Sequence, residues 1–169
     1  TWTAVSSSFF SVRLFDHGCI FGTGGSCIFP EEKDRAWIGA LLMSNVAAYF
    51  IEAVNPTLNI NIEDVAAIPV EKIEKDVVDA NALQCIQNAK DDWNEFENAW
   101  DFMQPYIFRN KSTCLKSSWE LWAAKASERV ADCISLETDN NRIFINAYGL
   151  QNELYPEVPE SQITLARAD

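Results

Sequence analysis

The chain has 169 residues, with 13 basic and 25 acidic side chains that give a formal charge of −12 at pH 7. That length suits one domain, or one compact lobe with an attached arm. An apolar content of 48% and an aromatic content of 12% exclude a disordered chain. The acidic excess argues against a freestanding nucleic-acid-binding protein, because neutralising phosphates needs a positively charged face.

The sequence also indicates where the protein works. No apolar run approaches the roughly 20 residues needed to span a bilayer, and no signal peptide opens the chain. The five cysteines are odd in number and form no C-x-x-C motif, which is typical of reduced thiols in a cytoplasmic protein. Because the first residue is Thr1 and not Met, we expect the chain to be cut from a larger protein.

The negative charge is concentrated in one region. Residues 63–101 carry three basic and eleven acidic side chains, whereas residues 1–60 carry three and five. Residues 105–125 have the opposite sign, with four basic side chains and one acidic side chain. The composition is therefore compatible with a weakly charged or basic surface outside the acidic region.

Residues 1–70 are expected to form a small mixed β lobe with one packed helix. In residues 1–30, short apolar runs on either side of Gly22-Thr23-Gly24-Gly25 predict a meander of three short strands. Apolar residues recur every three or four positions over 36–54, which predicts one helix ending at Asn55-Pro56. The strict alternation of residues 58–62 predicts a further strand.

Residues 71–150 are expected to form a long antiparallel helical hairpin that acts as a spacer. Its first arm is predicted as a short helix at 77–78 and a second helix from Asp79. Its second arm is predicted to begin at an S-x-x-E capping box, Ser117 with Glu120, and to end at Ala147.

Three further features of the hairpin follow from the sequence. Gly149 is predicted to end the long helix, and residues 138–141 are poor helix formers where we expect a kink. Four tryptophans lie on the two helical stripes, which favours packing in the core: Trp93, Trp100, Trp119 and Trp122. The segment 151–169 is expected to be irregular, with a short strand at 163–165, and the fold class is α+β.

No catalytic, cofactor-binding or metal-ligating residue is predicted in this chain. His17 could join Cys19 and Cys27 as metal ligands, but zinc sites usually have four ligands at closer spacing, so a polar turn is favoured. The glycine-rich turn lacks the third glycine of G-x-G-x-x-G and is followed by a predicted strand. Asn55-Pro56-Thr57 lacks the second proline and the aromatic of an amino-methyltransferase loop, so it is interpreted as a helix stop.

Several short segments of the chain follow one another in a distinctive order. They are Ser6-Ser7-Ser8, Phe10-Ser11-Val12-Arg13, Gly18-Cys19-Ile20-Phe21, Leu42-Met43-Ser44-Asn45, Asn55-Pro56-Thr57-Leu58-Asn59, Ile68-Pro69-Val70, Trp100-Asp101-Phe102 and Ile145-Asn146-Ala147-Tyr148-Gly149-Leu150. Together these segments resemble the C-terminal half of the BREX phage-defence methyltransferases (the PglX-like family) and of single-chain restriction–modification relatives. The likeness extends through nearly the whole chain, and the collinear order is more specific than any one piece.

The resemblance implies an enzyme that uses S-adenosylmethionine to methylate adenine N6 in duplex DNA. The catalytic loop and cofactor motif of that family have no match here, so we expect this chain to be inactive alone and to hold no cofactor. It would supply a recognition lobe, a helical spacer and an irregular C-terminal segment (1–70, 71–150 and 151–169). The expected partners are double-stranded DNA, the catalytic domain of the same protein and possible subunits of a defence complex. The candidate DNA contacts are Ser7, Ser8, Arg13, Lys33, Arg35, Arg109 and Lys111.

Two other functions are compatible with the sequence. The acidic stretch 63–101 and the many aromatic residues could make the hairpin a docking surface for a partner protein. An acidic mimic of DNA is less favoured, because a mimic needs negative charge repeated along its whole length.

Overall fold

The computed structural model describes residues 1–6, 8–15, 18–22, 24–71, 73–109 and 114–167. Over these residues the fold is α+β, as predicted, with one antiparallel strand pair and six α-helices. The strands are β1 (Trp2–Thr3) and β2 (Gly25–Ser26), and 3-10 turns lie at Glu32–Asp34 and Glu160–Gln162. The helices are α1 (Arg35–Met43), α2 (Asn45–Val54), α3 (Ile62–Ala66), α4 (Lys75–Trp93), α5 (Tyr106–Arg109) and α6 (Leu115–Ala147).

The N-terminal lobe contains less β-structure than the sequence predicts. The expected three-stranded meander is wrong, because β1 and β2 have two residues each and pair directly. The expected strand over 58–62 is also wrong. Only an isolated bridge between Val5 and Asn59 forms there, and α3 follows because Asn61 and Asp64 make a reciprocal capping box that starts a helix.

The predicted helix over 36–54 is two helices, α1 and α2, which meet at an angle of 67°. Ser44 separates them in an extended conformation, with φ −77° and ψ 156°. Its Oγ donates to the Leu41 carbonyl at 2.6 Å and accepts from the Ala47 N–H at 3.2 Å. The hydroxyl therefore ends one helix and caps the next, which is the strong preference of serine at such positions.

The length and apolar composition of these helices decide whether one of them could span a membrane. Within the described part of the chain, no single helix is both long and apolar enough to cross a bilayer, although the bent pair Glu32–Met43 and Asn45–Val54 satisfies the length and composition criteria together.

Helices α4 and α6 form the predicted antiparallel hairpin. Contacts between them run in opposite directions along the two helices: Asn81 with Asn140, Asn88 with Cys133, and Glu95 with Arg129. Helix α4 is continuous from Lys75, so the separate short helix at 77–78 is wrong. Helix α6 has 33 residues and spans roughly 50 Å.

The expected kink at 138–141 is wrong, because α6 continues unbroken through it. The poor helix formers have tertiary partners. Asn140 accepts from Asn81, and the buried Asn141 bonds to both the Asn45 N–H and the Pro156 carbonyl. These contacts offset the weak intrinsic helix propensity of this stretch.

The two ends of α6 differ in how well they were predicted. At the start the expected capping box is wrong, because the helix begins at Leu115 with Cys114 as N-cap and Ser117 lies inside the first turn. At the end the prediction is confirmed: Gly149 has φ +69°. The Leu150 N–H then donates to the Ile145 carbonyl at 3.0 Å, as in a Schellman motif.

The aromatic stripes do not form the centre of the hairpin. Trp93, Trp100 and Trp119 are 56%, 93% and 46% exposed, so their assignment to the core is wrong. The buried residues of α4 and α6 are mostly small or polar: Val78, Ala82, Asn88, Asp92, Ser118, Ala126, Arg129, Val130, Cys133, Asn140, Asn141, Phe144 and Ile145. Small side chains let the two helices pack closely and leave the large indoles at the surface.

The C-terminal segment is irregular, as expected, but the strand at 163–165 does not form. Val158 and Ile163 pack on Val130 and Cys133 of α6. The Asp92 carboxylate accepts from the Ala166 N–H at 3.1 Å. The segment therefore lies along the hairpin and is tied to both of its helices.

One core cluster joins the lobe and the hairpin. Leu41 and Val46 of the lobe pack with Val78, Phe144 and Ile145 of the hairpin. A second cluster lies within the lobe, around Trp2, Leu42, Ala47, Ile51, Val65 and Ile68. The division into units at residues 70 and 150 stays a prediction.

Candidate nucleic-acid interface

The seven candidate DNA contacts can be placed only in part. Ser7 and Lys111 lie outside the described residues, as does His17, the histidine of the alternative metal site. Among the residues that the structure describes, no group of three or more His, Cys, Asp or Glu side chains is arranged to hold a metal ion. Ser8 is exposed, and its N–H donates to the Ser6 Oγ at 3.1 Å.

Arg13 is an exposed cation of the lobe whose hydrogen bonds go to neutral groups. Its Nη1 donates to the Val12 carbonyl at 2.8 Å and its Nη2 to the Thr164 Oγ1 at 3.2 Å. Its backbone N–H donates to the Thr1 carbonyl at 2.8 Å. The guanidinium therefore has a defined direction and keeps donors free for a phosphate or a base edge.

Lys33 and Arg35 are already paired with acids. Lys33 lies 2.8 Å from Glu31, and Arg35 Nη1 contacts both carboxylate oxygens of Glu32 at 3.1 and 2.8 Å. Arg35 Nη2 also donates to the Phe15 carbonyl at 3.1 Å. Exposed pairs of this kind contribute at most about 1 kcal/mol, so either base could exchange its acid for a phosphate, but the surface as a whole has little positive charge.

Arg109 lies at the opposite end of the hairpin. It ends α5, and it donates to the Gln104 carbonyl at 3.0 Å and to the Asn94 carbonyl at 3.4 Å. Asn94 follows the last residue of α4, whereas α1 packs near Val78 at the start of α4. The axial separation between Val78 and Asn94 is roughly 25 Å, so Lys33 and Arg35, which lie at the start of α1, do not form one patch with Arg109.

Sequence reasoning missed a carboxyl group close to Arg13. Glu137 of α6 lines a cleft of about 50 Å³ together with Phe10, Ser44, Gln162 and neighbouring residues. Burial raises the pKa of Glu137 to about 7, and the charge of Arg13 opposes that rise. The cleft is built from four distant segments, so no local sequence pattern could have revealed it.

Buried polar contacts stiffen the hairpin. Arg129 Nη2 donates to Glu95 Oε1 at 2.7 Å, and both side chains are buried. The Trp122 Nε1 donates to the other oxygen of Glu95 at 2.9 Å. Burial raises the pKa of Asp92, which the Ala166 N–H bond partly opposes. These contacts fix the end of α4, helix α6 and the C-terminal segment to one another at the same position along the hairpin.

The far end of the hairpin presents large apolar side chains to solvent. Trp100 is 93% exposed and Met103 is 84% exposed. Nearby, Ile107, Leu115 and Trp119 line an open groove with an apolar surface. Exposed apolar groups in this concentration are typical of surfaces that contact other proteins.

Two curated relatives match the sequence. The adenine-specific methyltransferase PglX of Lacticaseibacillus casei (strain Zhang) is 31% identical over 175 aligned positions, which cover 100% of this chain and 15% of the relative. The adenine-specific methyltransferase BrxX of Escherichia coli O9:H4 (strain HS) is 30% identical over 156 positions, covering 90% of this chain and 13% of the relative. No family model matches the chain.

The chain thus spans about 15% of the length of the curated relatives that it matches. The agreement extends from one end of the sequence to the other, as the collinear segments suggested. The chain is homologous over its whole length to a stretch of the adenine-specific methyltransferase PglX, and over 90% of its length to a stretch of the adenine-specific methyltransferase BrxX.

Proposed function

We propose that this chain is the target-recognition and spacer portion of an adenine-specific DNA methyltransferase of a phage-defence or restriction–modification system, acting in the cytoplasm. The observation that carries the proposal is the homology to two adenine-specific methyltransferases, over 100% and 90% of the chain. The chain itself has no Pro-Pro-aromatic loop. We therefore assign S-adenosylmethionine binding and methyl transfer to adenine N6 to the rest of such an enzyme.

The charges of the lobe support separate roles for the lobe and the catalytic domain in binding DNA. Residues 1–60 carry three basic and five acidic side chains, so the lobe has too little positive charge to hold duplex DNA strongly through phosphates. Arg13, with its neutral partners, is the best-placed lobe cation to reach a base edge or a single phosphate. The catalytic domain would then supply most of the attraction to the DNA backbone.

The hairpin suits the role of spacer. Its long helix spans roughly 50 Å, and its two arms are joined by the buried Glu95–Arg129 pair and by the Asn81–Asn140 contact. A stiff connection of this length would keep the recognition lobe at a fixed distance from the distal end. Arg109, with Lys111 beside it in the sequence, would provide phosphate contacts there.

Duplex retention on a filter at low salt, with the purified 169-residue chain, tests the DNA-binding part of the proposal. We expect weak retention that Arg13→Ala reduces several-fold, with a salt slope lower by about one. Arg142→Ala is the matched control, because Arg142 is an exposed hairpin cation paired with Asp139 at 2.6 Å. No retention of duplex at any salt concentration, or equal losses in both variants, would contradict the proposal.

A second function is favoured by one observation, the exposure of Trp100 and Met103 at the hairpin end. There the hairpin would dock a partner subunit, next to the acidic stretch that leads into it. Replacing both side chains by serine would abolish capture of the partner subunit and leave duplex retention unchanged. Unchanged capture of the partner, or loss of duplex retention in that variant, would contradict this second function.

A further inference from the structure

We propose that an exposed aromatic face of the lobe is the surface on which the lobe packs against the catalytic portion of the methyltransferase, and that this face does not contact DNA. The aromatic face consists of Phe15, Ile20, Phe21 and Phe29. The inference rests on the proposed function, because it concerns how the recognition lobe is held in such an enzyme.

The rings of the aromatic face form one continuous surface. Phe15 and Phe21 meet edge to face with centroids 6.1 Å apart, and Phe21 and Phe29 do so at 5.6 Å. Such pairs are favourable arrangements for aromatic rings. Arg35 of α1 donates to the Phe15 carbonyl at 3.1 Å, so the face is attached to a helix of the lobe.

The exposure of this surface is large for so small a lobe. Ile20, Phe29, Phe15 and Phe21 are 98%, 79%, 50% and 42% exposed. Together they leave on the order of 500 Å² of apolar side chain in water, which is close to the largest patch on a typical monomer and is often functional. A surface of this size is suited to a partner with an apolar surface of its own.

The charges around the face disfavour a nucleic-acid partner. Glu31 and Glu32 follow Phe29 and Pro30 in the chain, and both carboxylates are exposed. Their partners Lys33 and Arg35 neutralise them without leaving positive charge. A phosphate backbone would meet these acids at the edge of an apolar surface, whereas a protein interface with an apolar centre and a polar, balanced rim has this composition.

The catalytic portion is the partner that best fits the sizes involved. The homologous stretch is 15% of one relative and 13% of the other, so most of each methyltransferase lies outside it. A recognition lobe can direct chemistry only if it is held in a fixed orientation to the catalytic centre, which needs a packed and not merely tethered contact. The aromatic face supplies the apolar surface for that contact.

The test uses a chimera in which this chain replaces the homologous stretch of the Lacticaseibacillus casei relative. Hydroxyl-radical labelling of Phe15 and Phe29 is compared between the chimera and the isolated chain. We expect labelling of both rings to fall at least fivefold in the chimera, while the exposed ring of Tyr155 serves as the internal reference. Equal labelling of the two rings in both proteins would overturn the inference.

A second arm applies if the chimera does not fold. The isolated chain is mixed with the relative from which the homologous stretch has been deleted, and complex formation is measured by sedimentation. We expect a complex that the Ile20→Ser, Phe29→Ser double variant weakens at least tenfold and that Tyr155→Ser, at a side chain 81% exposed elsewhere on the surface, leaves unchanged. Absence of a complex, or equal weakening by both variants, would overturn the inference.

Two control measurements separate this inference from the proposed function. Duplex DNA or a raised concentration of the isolated chain is added before labelling, and we expect neither to protect Phe29. Protection by DNA, or by a second copy, would overturn the inference. Failure of duplex retention by the wild-type chain would contradict only the DNA-binding proposal, since the labelling in the chimera does not depend on DNA.

Discussion

Glu95 and Arg129 form an ion pair in the interior of the hairpin, with Nη2 and Oε1 separated by 2.7 Å and side chains only 5% and 7% exposed. Glu95 lies just beyond the end of α4 and Arg129 lies within α6, so the pair joins the two arms. The Arg129 Nε has no hydrogen-bond partner among the described residues. Breaking the pair is therefore costly. Its hydrogen bonds offset only part of the free energy lost when the two charged groups are removed from water.

Breaking this pair from one side is expected to destabilise the protein strongly. Arg129→Met leaves the Glu95 carboxylate buried with only the Trp122 N–H as partner, and we expect a loss of about 3–5 kcal/mol of unfolding free energy. The double variant Glu95→Leu, Arg129→Met should recover most of that loss, because neither member of the pair is left buried without its partner. Equilibrium unfolding in urea measures both values.

An exposed pair provides the control for that measurement. Lys125 and Glu128 also lie 2.8 Å apart on α6, but both are at the surface, so Lys125→Met should barely change the unfolding midpoint. If Lys125→Met and Arg129→Met had equal effects, burial would not be the reason for the stability of the Glu95–Arg129 pair.

Asn141 is expected to be one of the most sensitive polar positions of α6. Its side chain accepts from the Asn45 N–H at 2.9 Å and donates to the Pro156 carbonyl at 3.0 Å. Asn141→Ala improves helix propensity but leaves the partly buried Asn45 N–H without its acceptor and the Pro156 carbonyl without its donor, which should cost about 1–3 kcal/mol. Asn146→Ala, at an exposed position of the same helix, should change stability by less than about 0.5 kcal/mol. Thermal unfolding of the two variants compares them.

Local patterns predicted which segments of this chain are helical, but hydrogen bonds of individual side chains decided where helices break or continue. The period over 36–54 is continuous, and only the two hydrogen bonds of Ser44 Oγ divide it into α1 and α2. Conversely, residues 138–141 have poor helix propensity and yet remain helical, because Asn140 and Asn141 form hydrogen bonds to distant segments. Propensity is a weak prior that such contacts override.

The candidate interface was less predictable than the fold. The sequence identifies Arg13 as a base, but its contact with Thr164 joins residues 151 positions apart. The pairing of Lys33 and Arg35 with Glu31 and Glu32 was visible as a local charge pattern, whereas the cleft at Glu137 depends on four separate segments. Long-range proximity of this kind has no signature in one sequence.

Replacing Gly149 is expected to destabilise the protein, although no neighbouring atom would contact an added side chain. Its φ of +69° is favourable only for glycine, and an added Cβ would meet no atom within 4 Å. Gly149→Ala should therefore cost about 1 kcal/mol from backbone strain alone. Gly39→Ala in α1 is the control, because that site is equally open and has ordinary helical geometry, so stability should rise by up to about 1 kcal/mol. Chemical denaturation of both variants would reveal opposite signs; equal signs would contradict the strain argument.

The buried carboxyl of Glu137 is expected to make stability depend on pH. Its pKa is raised from 4.5 to about 7 by burial, so between those values the folded state binds a proton that the unfolded state has released. The unfolding free energy must then decrease as the pH rises from about 4.5 to 7, by up to about 3 kcal/mol from this group. Glu137→Gln removes the titration, and it should stabilise the protein at pH 8 while changing little at pH 4.5. Unfolding in urea at several pH values measures the difference between the two proteins; a difference that does not vary with pH would show that Glu137 titrates normally, and that the cleft beside Arg13 does not desolvate it.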